Sequence, residues 1–97
     1  MPKLTIEQSH RMSAEEARRC LESLSQDLSD KYGLTSCWLS DTEAKVERTG
    51  ASGHIKIEPQ RVVVHLDLSF ALSPIKGKIE ERIRQELARL FATQAAV

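Results

Sequence analysis

Aromatic residues are scarce in this chain. Tyr32, Trp38, Phe70 and Phe91 are the only four in 97 residues, so the core has to be aliphatic. Cysteine is scarcer still. Cys20 and Cys37 are too few and too far apart for a disulfide framework or a zinc module. Two isolated thiols fit a reducing cytoplasm, as small buried hydrophobes on core faces. Net charge is absent, with 14 basic residues balancing 14 acidic ones, which argues against broad electrostatic attraction to nucleic acid or anionic lipid. No apolar run approaches the ~20 residues of a membrane span. The opening "MPKLTIEQSH" lacks a basic start followed by an apolar block, so no signal peptide is expected. What is present is ordinary globular material, 40% hydrophobic and 29% charged, sized for one domain over residues 1–97.

Hydrophobic periodicity supplies the elements. Leu4 and Ile6 alternate with polar residues over 3–8, which predicts a short first strand. "SAEE" then sets Ser13 three residues before Glu16, a capping box. Ala17, Leu21, Leu24 and Leu28 recur at helical spacing, with Cys20 beside them, and Gly33 supplies a left-handed stop. The first helix is therefore expected over about 14–32. Four strands follow, over about 35–40, 43–49, 54–58 and 61–72, separated by "SDT", "GASG" and "PQ". In the last of them Val62, Val64, Leu66, Leu68, Phe70 and Leu72 point one way, while Val63, His65, Asp67 and Ser69 point the other. Ser73 and Pro74 then read as N-cap and first-turn proline of a second helix whose apolar stripe is Ile75, Ile79, Ile83, Leu87, Leu90 and Phe91.

Parity constrains the register. A two-residue "PQ" turn pairs Ile57 with Val62 and Ile55 with Val64, and it puts His54 opposite His65 on the outer face. A one-residue slip would turn one strand's apolar set outward. For the preceding hairpin, a turn at Ala51-Ser52 pairs Val46 with Ile57, Glu47 with Lys56 and Lys45 with Glu58, so that opposite charges meet. The first strand is expected to pair antiparallel with the long last one. The result is an α+β fold, a two-layer βαββββα domain with sheet order 1-5-4-3-2. Both helices lie on one face, as in a reduced helix-grip domain.

Candidate sites are few. "SPIKGK" is not a Walker loop. Lys76, Lys78 and free helix-start amides have the chemistry to hold an anion. The alternative is a hinge in which Pro74 sets the corner and Gly77 lets the helix approach the sheet. Two lysines at the positive end of a helix dipole are the oddity of this stretch. His54, His65 and Asp67 share one face and include the residue types of a zinc site. An exposed polar face explains them equally well, and no metal or cofactor is assigned. Ser73 reads as a cap, His10 as a loop residue, and no nucleophile–base constellation appears, so no catalytic residue is assigned and no enzyme activity is expected. Neither an aromatic stacking set nor a basic stripe for nucleic acid is visible. What remains is the uncovered sheet face. Its expected interaction residues are Lys45, His54, Lys56, Val63, His65 and Asp67. Trp38 joins them if Asp41-Thr42 is a two-residue turn, and a three-residue turn buries it instead. The open face and the two edge strands, the first and second in sequence, lead us to expect a homodimer.

"SAEEAR", "RTGASGHIKI" and "LDLSFALSPIKGKIE" occur together. With Gly50, Gly53, Phe70, Leu72, Pro74, Lys76, Gly77, Ile79 and Glu80 as its most specific positions, the chain resembles the polyhydroxyalkanoic acid system proteins. These are small bacterial proteins associated with polyester storage granules. The resemblance covers nearly everything from Ile6 to Leu87 and carries over no catalytic residue. It implies a cytoplasmic, non-enzymatic accessory protein of polyhydroxyalkanoate metabolism that binds a granule-associated protein or the polyester surface. The alternative is a small acyl-ligand carrier with an apolar site between sheet and helices.

Overall fold

The computed structural model describes residues 3–95. Its elements are β1 (Lys3–Ser9), α1 (Ala14–Tyr32), β2 (Thr35–Trp38), β3 (Glu43–Arg48), β4 (Ala51–Ile57) and β5 (Arg61–Leu68). A 3₁₀ segment (Phe70–Ile75) and α2 (Lys76–Ala95) follow. The five strands form one antiparallel sheet in the order β1-β5-β4-β3-β2. Alternate strand residues such as Leu4, Ile6, Val46, Ile55 and Leu66 are buried in one cluster with Leu21, Leu24, Ile83 and Leu87 of the two helices. The α+β, two-layer arrangement follows from sheet parity on one side and helical stripes on the other.

Local signals place α1. Ser13 is extended (φ −66°, ψ 161°), and its hydroxyl accepts the Glu16 amide at 3.2 Å, satisfying one of the free N–H groups of the helix start. Gly33 ends the helix at φ 70°, a left-handed conformation that glycine adopts without a Cβ penalty. Ala17, Leu21, Leu24 and Leu28 are buried.

The β4–β5 hairpin has the expected register, with Ile57 opposite Val62, Ile55 opposite Val64 and His54 opposite His65. The β3–β4 hairpin does not. Its turn is Thr49–Gly50, with Gly50 at φ 86°, and Val46 faces Gly53 rather than Ile57. The slip is four residues (57 − 53 = 4). An even slip keeps every side chain on its own face, so apolar parity cannot detect it. The expected charge pairs dissolve with it: Lys45 lies opposite His54, Glu47 opposite Ser52, and Lys56 opposite Glu43. Lys45 instead meets Glu47 along its own strand at 3.3 Å.

The last strand stops early. The Ser69 amide donates to the Gly50 carbonyl at 2.8 Å, and beyond that rung no described residue of β4 or β1 pairs with β5. The alternation over Phe70 and Leu72 therefore has no ladder to join. Leu72 still packs on the core, but Phe70 is 76% exposed. Ser73 and Pro74 fall inside the 3₁₀ segment, so Ser73 is not the N-cap of α2, although its carbonyl accepts the Lys76 amide. Ile79, Ile83, Leu87 and Phe91 bury the α2 stripe as expected. Arg82 clasps Asp27 of α1 through two hydrogen bonds of 2.8 and 2.7 Å, which holds that carboxyl below the usual aspartate range.

Gly77 needs correction too. A Cβ built there meets nothing within 4 Å, so glycine is not what lets the helix approach the sheet. Gly77→Ala is expected to stabilise the fold by about 0.5 kcal/mol through helix propensity alone. Urea denaturation measures this, and a loss of stability would show that the helix start is closer to its neighbours than described.

Candidate functional site

The sheet face opposite the helices is built by strand parity. Three rows of side chains cross it. Lys3, Asp67, Ser52, Glu47 and Thr35 form the first; Thr5, His65, His54, Lys45 and Cys37 the second; Glu7, Val63, Lys56 and Glu43 the third. Six of the seven residues expected on an interaction face are here: Lys45, His54, Lys56, Val63, His65 and Asp67. Trp38 is not. It lies opposite Ala44, and the Leu39 amide donates to the Glu43 carbonyl at 2.8 Å, so the connecting turn has three residues, Ser40 to Thr42. That puts Trp38 on the helix side, half-buried against the core, with the Arg18 guanidinium 4.7 Å from its ring centre. Leu39 turns outward and is 57% exposed.

The same register puts Cys37 on the open face, exposed, rather than in the core. Cys20 is partly buried, with its sulfur 3.7 Å from that of Met12. Burial, followed by the charge of Glu16, pushes its thiol pKa up, which disfavours the reactive thiolate.

Much of the charge on the open face is already engaged. The His65 Nδ1 and the Thr5 hydroxyl are 3.0 Å apart, and His65 Nε2 lies 3.7 Å from an Asp67 oxygen. At the lower rim Arg61 meets Glu58 at 2.6 Å and Glu7 at 2.8 Å. Among the described residues, no three His, Cys, Asp or Glu side chains converge as a metal-holding group. Val63 is the apolar residue in this field, half-buried between Glu7 and Lys56 on the neighbouring strands. A surface of this kind offers directional polar contacts around a small apolar centre, which suits protein recognition.

Two further sites differ from their sequence reading. His10 is buried at 6% exposure. Its Nε2–H donates to the Glu58 carbonyl at 2.8 Å, and its Nδ1 accepts the Met12 amide at 3.1 Å. The partners fix this tautomer, since a carbonyl only accepts and an amide only donates. A cleft of ≈ 240 Å³ opens between α1 and the edge strand β2, with Ser25, Gln26, Ser29, Ser36 and Trp38 among its walls. No sequence signal marked it, because it arises from the gap between a helix and a four-residue strand.

No helix among the described residues is long and apolar enough to cross a membrane. No curated protein and no solved structure matches the chain. Residues 4–91 match the family described as "Putative polyhydroxyalkanoic acid system protein". That span takes in every residue of the five strands and of the open face except Lys3, together with both helix stripes, and the chain belongs to this polyhydroxyalkanoic acid system family.

Proposed function

We propose that this protein is a non-enzymatic accessory component of polyhydroxyalkanoate metabolism, working in the cytoplasm by binding a granule-associated protein through its open sheet face. The observation that carries the reading is that face itself: both helices pack on the other side, and Val63 sits among Lys45, His54, Lys56, His65 and Asp67. Mixed charge with an apolar centre favours a shaped protein partner over adhesion to a uniform polymer surface. A second copy of the chain is one such partner, through this face or through an edge strand, β1 or β2. Acyl carriage would need an apolar chamber between sheet and helices. The side chains that meet there include Leu21, Leu24, Ile55, Leu66, Ile83 and Leu87, each at most 1% exposed.

The test is a pull-down from granule-forming cells with wild type and Val63→Glu, alongside sedimentation of both proteins. A granule protein retained by wild type and lost with Val63→Glu supports the reading. Dimeric wild type that becomes monomeric on the same change assigns the face to self-association. A partner retained equally by both proteins removes the open face as the contact.

A further inference from the structure

The cations of "SPIKGK" have no role in the reading above, and the exposed Phe70 has none either. Both lie at one end of the molecule. The Ser69 amide bonds to Gly50, and a Cβ on Gly50 would sit 3.4 Å from Leu72, so the 3₁₀ segment abuts the β3–β4 turn. Arg48 beside that turn donates to the Tyr32 carbonyl at 2.6 Å, and the Tyr32 hydroxyl is 3.5 Å from the Lys78 carbonyl. The end of α1, the β3–β4 turn, the 3₁₀ segment and the start of α2 therefore converge.

Residues 31–33, 48–50 and 69–79 hold Lys31, Arg48, Lys76 and Lys78, in a chain whose net charge is zero; the acidic residues that flank these stretches, Asp30, Glu47 and Glu80, meet Gln26, Lys45 and Arg84 instead. Elsewhere Arg18, Arg19, Lys45, Arg61, Arg82, Arg84 and Arg89 each meet a carboxylate, and Lys3, Arg11 and Lys56 are in no ion pair among the described residues. Among the described residues none of the four cations at this end meets a carboxylate. Two of them stand in the first turn of α2, where the helix dipole disfavours positive charge and no acidic residue offsets it. Stability alone does not account for that placement. At the same end Phe70 is 76% exposed and is followed by exposed Ala71.

We propose that this end docks on an anionic lipid surface, with Phe70 inserted among the acyl chains and Lys31, Arg48, Lys76 and Lys78 at the headgroups. An exposed apolar side chain at the same end as cations without a carboxylate partner is the complement of such an interface. Single-stranded nucleic acid is the less favoured occupant, because one aromatic residue provides no series of stacking positions. The inference is independent of the open-face reading, which concerns the other surface of the sheet.

Flotation with phosphatidylcholine vesicles, and with vesicles in which one-third of the lipid is phosphatidylglycerol, tests it at low salt. Wild type is expected to bind the anionic vesicles and to release them as salt rises. Phe70→Ala should weaken binding about ten-fold. Lys76→Gln with Lys78→Gln should weaken it about thirty-fold, at roughly one five-fold step per cation. Circular dichroism checks that the variants fold, since all three positions are on the surface. Absence of vesicle binding, equal binding to both compositions, or indifference to Phe70→Ala would overturn the proposal. So would tight binding of a single-stranded oligonucleotide without vesicle binding.

Discussion

Gly53→Ala is expected to be the most damaging single methyl group that can be added to this protein. Gly53 lies in the middle of β4, opposite Val46 on one side and Leu66 on the other. A Cβ there would overlap the His65 carbonyl oxygen and come within 2.7 Å of the Leu66 side chain. The obstacle is backbone, which cannot rotate aside as a side chain can. The strands must part, and the β4–β5 ladder that carries Ile55–Val64 and His54–His65 must open with them. A loss of about 3 kcal/mol or more is expected, at or beyond the upper end of ordinary overpacking. Urea denaturation followed by circular dichroism measures it. Wild-type stability in Gly53→Ala would mean that β4 and β5 are not this close at Gly53.

His10→Ala is expected to cost about 3 kcal/mol, from two unpaired buried backbone groups and the cavity left by the ring. His10 joins the exit of β1 to the β4–β5 turn: its own amide bonds to the Gln60 carbonyl at 3.0 Å, and its ring bonds Glu58. The ring also lies 5.7 Å from that of Phe91, so the residue ties the sheet corner to the end of α2. Asparagine offers a carbonyl oxygen near the place of Nδ1, so His10→Asn should keep the bond from the Met12 amide and lose less than His10→Ala. Equal losses for the two changes would assign the effect to packing alone. No loss in either would remove His10 from the structural core.

The residues explain why some of this was readable and some was not. The β4–β5 hairpin was legible because both strands carry apolar residues at every second position across a turn too short to permit another pairing. The open face was legible for the same reason, and parity alone put Lys45, His54, Lys56, Val63, His65 and Asp67 on it. Trp38 was not, since its side depends on whether the turn before Glu43 has two residues or three, and "SDT" admits both. The β3–β4 register was hidden because an even slip preserves the pattern. What decides it is the turn at the left-handed Gly50, and plausible charge pairs pointed elsewhere. Phe70 continued the alternation beyond the last residue with a strand beside it. His10 could not be read locally at all, since one of its ring partners is 48 residues away.

The sheet order has a consequence for how the chain assembles. β2 to β5 form by successive hairpins, each closing only a short loop. β1 is different. It is synthesised first, and its partner β5 begins 52 residues after β1 ends (61 − 9 = 52). Until then Leu4 and Ile6 have no strand to lie beside, and joining them closes the longest loop in the sheet, whose entropy grows with the logarithm of its length. On loop-closure entropy, the strand made earliest is expected to be the one incorporated last.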